Sequence, residues 1–345
     1  MKMRLGLTIG YSGSNLEIDM DLIKEAEALG YDSIWSAEAW GSDAVSPLAW
    51  IGAQTTRIKL GTGIMQIPAR TPANTAMTAM TMDALSGGRF LLGLGTSGPQ
   101  VVEGWHGQAF DKPLIWMREY ITIIRKILER KEALEFEGTR YQIPYRGPGS
   151  TGMGKPLKSI LHGHPNIPIY SGAMAPLGQQ LAGELADGVL LTCMNPERPE
   201  VIVDQIKAGL AKGTRGKTLA DFDIAPTVAV VLADDLDAAR FPLKMQLALY
   251  VGGMGAKNKN FYNEYLRRAG FEEEAIKIQD LFLDGKKGEA MAAVTDEMVD
   301  ALYLIGTKER IRDRLAVWKE SGIGTLIVGS PDINAIRVMA ELAAE

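Results

Sequence analysis

The run LSGGRFLLGLGTSG at positions 85–98 contains the element boundary from which the fold can be worked out. Residues 89–94 form a short apolar run that predicts a buried β-strand. Residues 72–85 before it have helical spacing, with a proline near the start, where a helix tolerates one. A helix followed directly by a strand predicts one unit of an alternating α/β fold.

The same alternation extends from this run in both directions. Short apolar or β-branched runs alternate with helical runs, which indicates a parallel sheet covered by helices on both faces. Eight such units favour a closed TIM (β/α)8 barrel over an open sheet. The predicted strands are residues 3–9, 33–36, 58–63, 89–94, 167–170, 188–191, 224–231 and 325–328.

A single barrel domain with two insertions is predicted over residues 1–345. Length alone suggests two domains, but a barrel of about 250 residues can absorb insertions to this size. One insertion, at about residues 131–165, is rich in loop-forming residues. The larger is a helical excursion at about residues 236–301, between strands seven and eight. No low-complexity linker brackets it, so it is expected to pack on the barrel.

The composition excludes several classes of protein. The formal net charge is −5 and the 37 basic residues are scattered, which argues against nucleic-acid binding. A single cysteine, Cys193, excludes an intramolecular disulfide and fits a reducing compartment. The first residues do not form a signal peptide, and no uninterrupted apolar window is long enough to span a membrane. We therefore expect a soluble cytoplasmic protein.

In a barrel of this type the active site lies at the carboxyl ends of the strands. Residues 93–98 there match G-x-G-x-x-G, the dinucleotide-binding pattern. That interpretation is disfavoured, because residues 101–107 do not predict an amphipathic helix and the strand is the fourth in the chain. Glycines that allow close approach at a barrel rim are the better interpretation, and they suit a flat ring lying against the backbone.

Residues 171–176, SGAMAP, lie between a predicted strand and a predicted helix. Small residues at this position leave backbone N–H groups and a helix N-terminus free to bind a phosphate. The alternative is a tight turn that needs glycine for a positive φ. The sequence leaves both interpretations open.

Glu38 is a carboxylate at the end of the second predicted strand. It could hydrogen-bond a cofactor ring or a substrate hydroxyl, or it could form a rim salt bridge or helix cap. Asp187 precedes a strand at the opposite rim, so we expect it to support structure.

Other acid–base candidates are sparse. Neither His162 nor His164 has a local partner to complete a metal site, and His106 could face the pocket. Cys193 lacks a visible partner that would activate its thiol, and no G-x-S-x-G elbow is present. Scarcity of such groups fits a reaction whose difficult step is performed by a cofactor.

The predicted strands and their ends carry short motifs in a fixed order: Gly30-Tyr31-Asp32, Ile34-Trp35, Glu38, Leu60-Gly61-Thr62-Gly63-Ile64, Leu85-Ser86-Gly87-Gly88-Arg89, Leu92-Gly93-Leu94-Gly95, Ile167-Pro168-Ile169-Tyr170-Ser171-Gly172-Ala173 and Ala186-Asp187-Gly188. This set resembles the bacterial luciferase-like oxidoreductases over roughly residues 3–230 and 303–330. Within that family it is most similar to the branch that depends on the deazaflavin coenzyme F420, which includes methylenetetrahydromethanopterin reductase and the F420 type of glucose-6-phosphate dehydrogenase.

The resemblance implies a TIM barrel with a cis peptide bond between Gly63 and Ile64, behind the deazaflavin ring. It also implies cofactor contacts from Glu38 and Gln66, and a substrate-side role for Thr192. The remaining implied cofactor contacts are Thr96, Ser97 and Gly98 after strand four, and Gly172, Ala173, Met174, Ala175 and Pro176 in a phosphate loop.

Three positions depart from the acid–base residues of that branch. The catalytic histidine of the dehydrogenase falls at Ala39, and its catalytic glutamate after strand four falls at Gly98. The strand-one glutamate of the reductase falls at Thr8. The resemblance therefore implies a cofactor class and hydride chemistry, and it does not imply a particular substrate.

We predict an oxidoreductase in which F420 exchanges a hydride with a small organic substrate. Glu38 is the predicted catalytic residue, and the substrate pocket is expected to be lined by Tyr11, Trp40, Trp105 and Thr192. Two alternatives stay open: an FMN-dependent monooxygenase of the same fold, and a protein that binds F420 or a flavin without turnover. The resemblance also implies a homodimer, and no metal, nucleic-acid or membrane partner is predicted.

Overall fold

The computed structural model describes residues 3–345, in which eight parallel strands close a barrel. Around the barrel the order is β1-β2-β3-β5-β8-β9-β10-β12, with β12 beside β1. This confirms the predicted TIM barrel. The strands are β1 Arg4–Gly10, β2 Ser33–Ser36, β3 Lys59–Thr62, β4 Met65–Gln66, β5 Phe90–Gly95, β6 Phe136–Glu137, β7 Gln142–Ile143, β8 Ile169–Gly172, β9 Gly188–Thr192, β10 Asp223–Leu232, β11 Leu304–Gly306 and β12 Thr325–Gly329.

Helices follow the barrel strands and fill the larger insertion. Within residues 3–345, none of them is both long and apolar enough to cross a bilayer. The helices are α1 Met20–Ala28, α2 Val45–Gly52, α3 Pro72–Ser86, α4 Pro99–Gly104, α5 Pro113–Glu129, α6 Pro176–Leu185, α7 Glu200–Leu210, α8 Leu236–Ala248, α9 Phe261–Arg268, α10 Glu272–Leu283, α11 Lys287–Ala292, α12 Asp296–Leu302, α13 Lys308–Glu320 and α14 Ile333–Ala344.

Two strand predictions need correction. The single strand predicted at 58–63 is divided, because β3 ends at Thr62 and the chain resumes as β4 after Gly63 and Ile64. β4 then pairs with β5 at the carboxyl end of the barrel. Strand β11 is absent from the prediction, because its apolar run is too short to recognise and it forms only by pairing with the long strand β10.

Large side chains and facing glycines fill the barrel interior. A Cβ on Gly61 would lie 2.3 Å from the ring of Trp35, and one on Gly188 would lie 2.4 Å from the ring of Tyr170. At the amino-terminal end the Tyr170 hydroxyl donates to Asp223, 2.9 Å away. The barrel is therefore packed along its axis, and a ligand has access at the carboxyl-terminal mouth.

The larger insertion packs on the mouth of the barrel. The backbone N–H of Asn195 donates to the hydroxyl of Tyr265 at 3.0 Å, and the Asn195 side chain donates to the carbonyl of Ala269 at 2.9 Å. Helical spacing predicts that Phe261, Tyr262, Tyr265 and Leu266 all face a core. The structure buries Tyr265 and Leu266 but leaves Phe261 exposed and Tyr262 half-buried. The division into a single domain with insertions stays a prediction.

Candidate functional site

The side chain of Ile64 lies between the ends of three neighbouring barrel strands. A Cβ on Gly95 would come within 2.7 Å of Ile64 Cδ1, and one on Gly172 within 3.0 Å of Ile64 Cγ2. The peptide bond between Gly63 and Ile64 is cis, the configuration that the resemblance implies. The rims after β3, β5 and β8 therefore converge, and glycines are required there because they leave space for Ile64. We call the surface formed by Gly63, Ile64, Gly95 and Gly172 the glycine slot.

Glu38 forms a buried ion pair beside the glycine slot. Its carboxylate accepts two hydrogen bonds from Arg70, at 2.6 and 3.1 Å. It also accepts the backbone N–H of Gln66 at 2.7 Å and that of Ala44, at the start of α2, at 2.9 Å. The side chain of Glu38 is 7% exposed and that of Arg70 is 18% exposed. The sequence left open whether Glu38 forms a rim salt bridge or a helix cap, and the structure shows that it does both.

This geometry does not support the prediction that Glu38 is catalytic. Both carboxylate oxygens are occupied by donors, two of them on the permanently charged guanidinium of Arg70. A proton-transfer group needs an oxygen that can reach the substrate. Glu38 instead holds the backbone that follows the glycine slot.

Gln66 connects this ion pair to the next rim. Its side-chain amide donates to the carbonyls of Glu38 at 2.9 Å and Ala39 at 2.8 Å. Its Oε1 lies 2.9 Å from Nε2 of His106, a residue that follows α4. Sequence reasoning missed Arg70 and left the role of His106 open, since neither lies in a recognisable motif.

Thr96, Ser97 and Gly98 form a half-buried turn after β5. Ser97 adopts φ +59°, a left-handed conformation that is uncommon outside glycine and is found more often at functional sites. A short helix, α4, begins at Pro99 after this turn, although the sequence does not predict an amphipathic helix here. Proline suits the first position of a helix, and α4 lacks an amphipathic pattern because only Val102 is buried.

Residues 172–176 connect β8 to α6, as predicted for a phosphate loop. Gly172 has no positive φ, so it is needed for space beside Ile64 and not for a turn conformation. Ala175 precedes α6 without a side-chain cap, which leaves first-turn N–H groups without an intrahelical acceptor.

Two polar side chains donate hydrogen bonds to the backbone of this loop. Gln179 is fully buried, and its amide donates to the carbonyl of Met174 at 3.2 Å. The guanidinium of Arg268, from α9 in the larger insertion, also donates to the carbonyl of Met174 at 3.2 Å. A cation therefore stands beside an uncapped helix N-terminus, which is a favourable arrangement for an anion.

The predicted pocket residues lie around the mouth, but they do not all line one cavity. Tyr11, Trp40 and Trp105 are 55%, 61% and 66% exposed. Thr192 ends β9, and its Oγ1 is shielded from solvent without a hydrogen-bond partner in residues 3–345. A cavity of about 300 Å³ lies beside Tyr11 at the end of β1, and Trp40 and Trp105 are not part of it. It is lined by residues 9–18 together with Ser36, Ser42 and Pro47.

The remaining reactive groups are inert or isolated. Burial raises the pKa of the Cys193 thiol to about 11, so the thiol stays protonated at neutral pH. His164 accepts the N–H of Asn166 within its own loop. Across the part of the chain that the structure describes, no three His, Cys, Asp or Glu side chains are placed to hold a metal ion.

Comparison with known proteins agrees with this architecture. The family model described as luciferase-like monooxygenase matches residues 3–325. The chain belongs to this family. The luciferase-like resemblance predicted from the strand motifs is thereby confirmed.

Among members of the luciferase-like family, this chain is similar to several named proteins. It is 42% identical to a putative coenzyme F420-dependent oxidoreductase of Mycobacterium tuberculosis over 99% of each chain. It is 33% identical to a 5,10-methylenetetrahydromethanopterin reductase of Archaeoglobus fulgidus, over 90% of this chain and 88% of that one. The coenzyme F420-dependent tetrahydromethanopterin reductase structure from Methanopyrus kandleri superimposes with a TM-score of 0.76 at 26% identity, covering 99% and 98% of the two chains.

Proposed function

We propose that this protein is a coenzyme F420-dependent oxidoreductase that exchanges a hydride with a small organic substrate. The observation that carries the proposal is the glycine slot, with an uncapped helix and a guanidinium at one end. The similar proteins whose names include coenzyme F420 support the same cofactor class. When bound, the deazaflavin supplies or accepts the hydride.

The chain offers groups that fit each part of this cofactor. The glycine slot suits one face of a flat ring, because Gly95 and Gly172 let Ile64 pack directly against the two rims and add no side chains of their own. The start of α6 and Arg268 fit the charge of a phosphate diester. The residues that would hold the cofactor are Gly63, Ile64, Gln66, Thr96, Ser97, Gly98, Gly172, Ala173, Met174, Ala175 and Pro176.

Cofactor titration tests the proposal against its alternatives. We expect purified protein to bind F420 more tightly than FMN by about tenfold or more, measured by fluorescence or calorimetry. Tighter binding of FMN together with substrate-dependent oxygen uptake would establish the monooxygenase alternative. Bound F420H2 that no panel of organic acceptors can oxidise would favour a binding protein without turnover.

Replacement of Arg268 by glutamine is expected to weaken F420 binding by about tenfold. The variant loses the positive charge beside the Met174 carbonyl, and the affinity should also become less sensitive to salt. The matched control is Arg267→Gln, because Arg267 pairs with the exposed Glu272 on the outer surface. Equal F420 affinity in the two variants would refute the role of Arg268.

Three further features of the protein are also proposals. We infer a homodimer from the family resemblance, and a cytoplasmic location from the single buried cysteine. The scattered basic residues support the inference that nucleic acid is not a partner. Sedimentation of the purified protein measures the oligomeric state directly.

A further inference from the structure

Two tyrosine hydroxyls meet at the mouth of the barrel. Tyr11 follows β1, Tyr250 follows α8, and their hydroxyl oxygens are 3.5 Å apart. This separation exceeds the usual 2.7–2.8 Å of an O–H···O hydrogen bond. One oxygen atom placed between the two hydroxyls could accept a hydrogen bond of normal length from each. The pair is thus spaced to share an acceptor, because the hydrogen bond between the two hydroxyls is itself long.

The backbone around Tyr250 is held firmly in an unusual conformation. Residues 249–253 form a π-helical turn, an element that often occurs at functional sites. The buried side chain of Asn260 donates to the carbonyls of Tyr250 and Val251, both at 2.9 Å. A Cβ on Gly252 would lie 2.5 Å from Phe282, so this turn packs closely on α10. These contacts fix the position from which the Tyr250 hydroxyl reaches the mouth.

The tyrosine pair stands across the mouth from the glycine slot. The glycine slot belongs to the third, fourth and fifth strands around the barrel, β3, β5 and β8. Tyr11 follows the first strand, and Tyr250 lies in the insertion after the seventh strand, β10. In a closed ring of eight strands these positions are opposite. A ligand between the two would have the ring site on one side and the tyrosine hydroxyls on the other.

The groups around the tyrosine pair are neutral donors. Tyr262 packs edge-on against Tyr250, with ring centroids 4.8 Å apart. Burial raises the pKa of Tyr250 well above its ordinary value, and the Tyr11 hydroxyl raises it further. Burial raises the pKa of Tyr262 to about 12, although the nearby Thr192 hydroxyl acts in the opposite direction. These phenols therefore stay protonated at neutral pH and donate hydrogen bonds.

We propose that the hydroxyls of Tyr11 and Tyr250 bind the oxygen of a neutral carbonyl or alcohol group in the substrate, which makes ketones, aldehydes and their alcohols the substrate class. The proposal rests on the F420-dependent function and names the substrate side of the same site. A cavity of about 300 Å³ opens on the Tyr11 side of the pair, and Tyr250 is not among the residues that line it.

The hydroxyl pair has a defined part in the reaction. In the reducing direction, the bound deazaflavin would supply the hydride that forms the new C–H bond at the carbonyl carbon. The π electron pair of the C=O bond moves to oxygen, where hydrogen bonds stabilise the growing negative charge. The oxygen then takes a proton from Tyr250, which regains one from water through the exposed Tyr11. Oxidation of the alcohol follows the reverse path.

A pair of isosteric probes tests this assignment without turnover. Protein loaded with oxidised F420 is titrated with para-fluoroacetophenone and with para-fluoro-α-methylstyrene, in which a CH2 group replaces the carbonyl oxygen. Fluorine NMR measures both dissociation constants. The wild type is expected to prefer the ketone by about tenfold, and Tyr11→Phe and Tyr250→Phe should each reduce that preference about three- to fivefold.

The matched control is Tyr145→Phe, because Tyr145 is as exposed as Tyr11 and its hydroxyl donates to the nearby carbonyl of Pro148. This variant should keep the full preference. Equal binding of the two probes by the wild type, or an unchanged preference in both test variants, would overturn the assignment. The titrations are repeated without F420. Failure of F420 to bind would refute the proposed function. In that case the ketone preference of the protein without F420 would still decide the role of the tyrosine pair.

Discussion

Replacement of Arg70 by methionine is expected to reduce the free energy of unfolding by about 3–5 kcal/mol, the usual cost of breaking a buried ion pair. Among residues 3–345, the variant leaves the buried carboxylate of Glu38 with the N–H groups of Gln66 and Ala44 as its remaining donors. The backbone of Gln66 directly follows the glycine slot, so F420 affinity should fall by about tenfold or more. Urea denaturation and cofactor titration measure the two effects.

Two comparisons isolate the cause. Arg118→Met breaks a similar two-bond pair with Glu184, but the Arg118 side chain is 47% exposed, so the loss should be less than about 1 kcal/mol. The double variant Glu38→Gln with Arg70→Met removes both charges and should be more stable than Arg70→Met alone. A double variant that is no more stable would mean that the packing of Arg70, and not its charge, is what matters.

Replacement of Asp187 by asparagine is expected to destabilise the protein by about 3 kcal/mol at neutral pH. Asp187 accepts hydrogen bonds from Arg125, Lys217 and Arg215, and from the N–H of Ile169 at 2.7 Å. Burial alone would raise the pKa of its carboxyl, but Arg125 and the other donors lower it to about 2. Asp187 thus joins α5 and the segment before β10 to the amino ends of β8 and β9, in the supporting role that the sequence predicts.

The effect has a defined pH dependence. A carboxyl whose pKa falls from 3.8 to about 2 on folding contributes stability above pH 3.8 and loses it as the pH falls towards 2. The difference in unfolding free energy between wild type and Asp187→Asn should therefore be constant near neutrality and shrink between about pH 4 and pH 2. Asp204→Asn is the control, because Asp204 is exposed and its one ion pair spans 3.8 Å. A difference that does not change with pH would refute the electrostatic explanation.

The acid–base positions of the related F420 enzymes carry no titratable side chain here. The Thr8 hydroxyl is engaged with the backbone, donating to the Trp35 carbonyl at 3.3 Å and accepting the N–H of Gly10 at 2.9 Å. Ala39 offers a carbonyl to Gln66, and Gly98 precedes α4. If the protein turns over a substrate, the proton must come from other residues or from water. The hydroxyls of Tyr11 and Tyr250 are the groups that the structure places across the mouth from the glycine slot.

The amino-acid sequence by itself determined the barrel and the position of the glycine slot. Apolar periodicity and glycine placement are local properties, so the sequence alone locates the strand ends near Ile64, Gly95 and Gly172. The division of the third strand and the short helix α4 were missed, because neither produces a periodic apolar pattern.

Only the tertiary structure decided which side chains act together. Glu38 and Arg70 are 32 positions apart, and Tyr11 and Tyr250 are 239 positions apart. The short windows that reveal periodicity contain neither pair. Each pair forms only when the closed barrel and its insertion bring distant strand ends together at the mouth. Local sequence patterns specify helices and strands, because hydrophobic periodicity is visible within a few residues. Hydrogen bonds between distant side chains depend instead on ångström-scale distances, which only the packing of the whole fold sets.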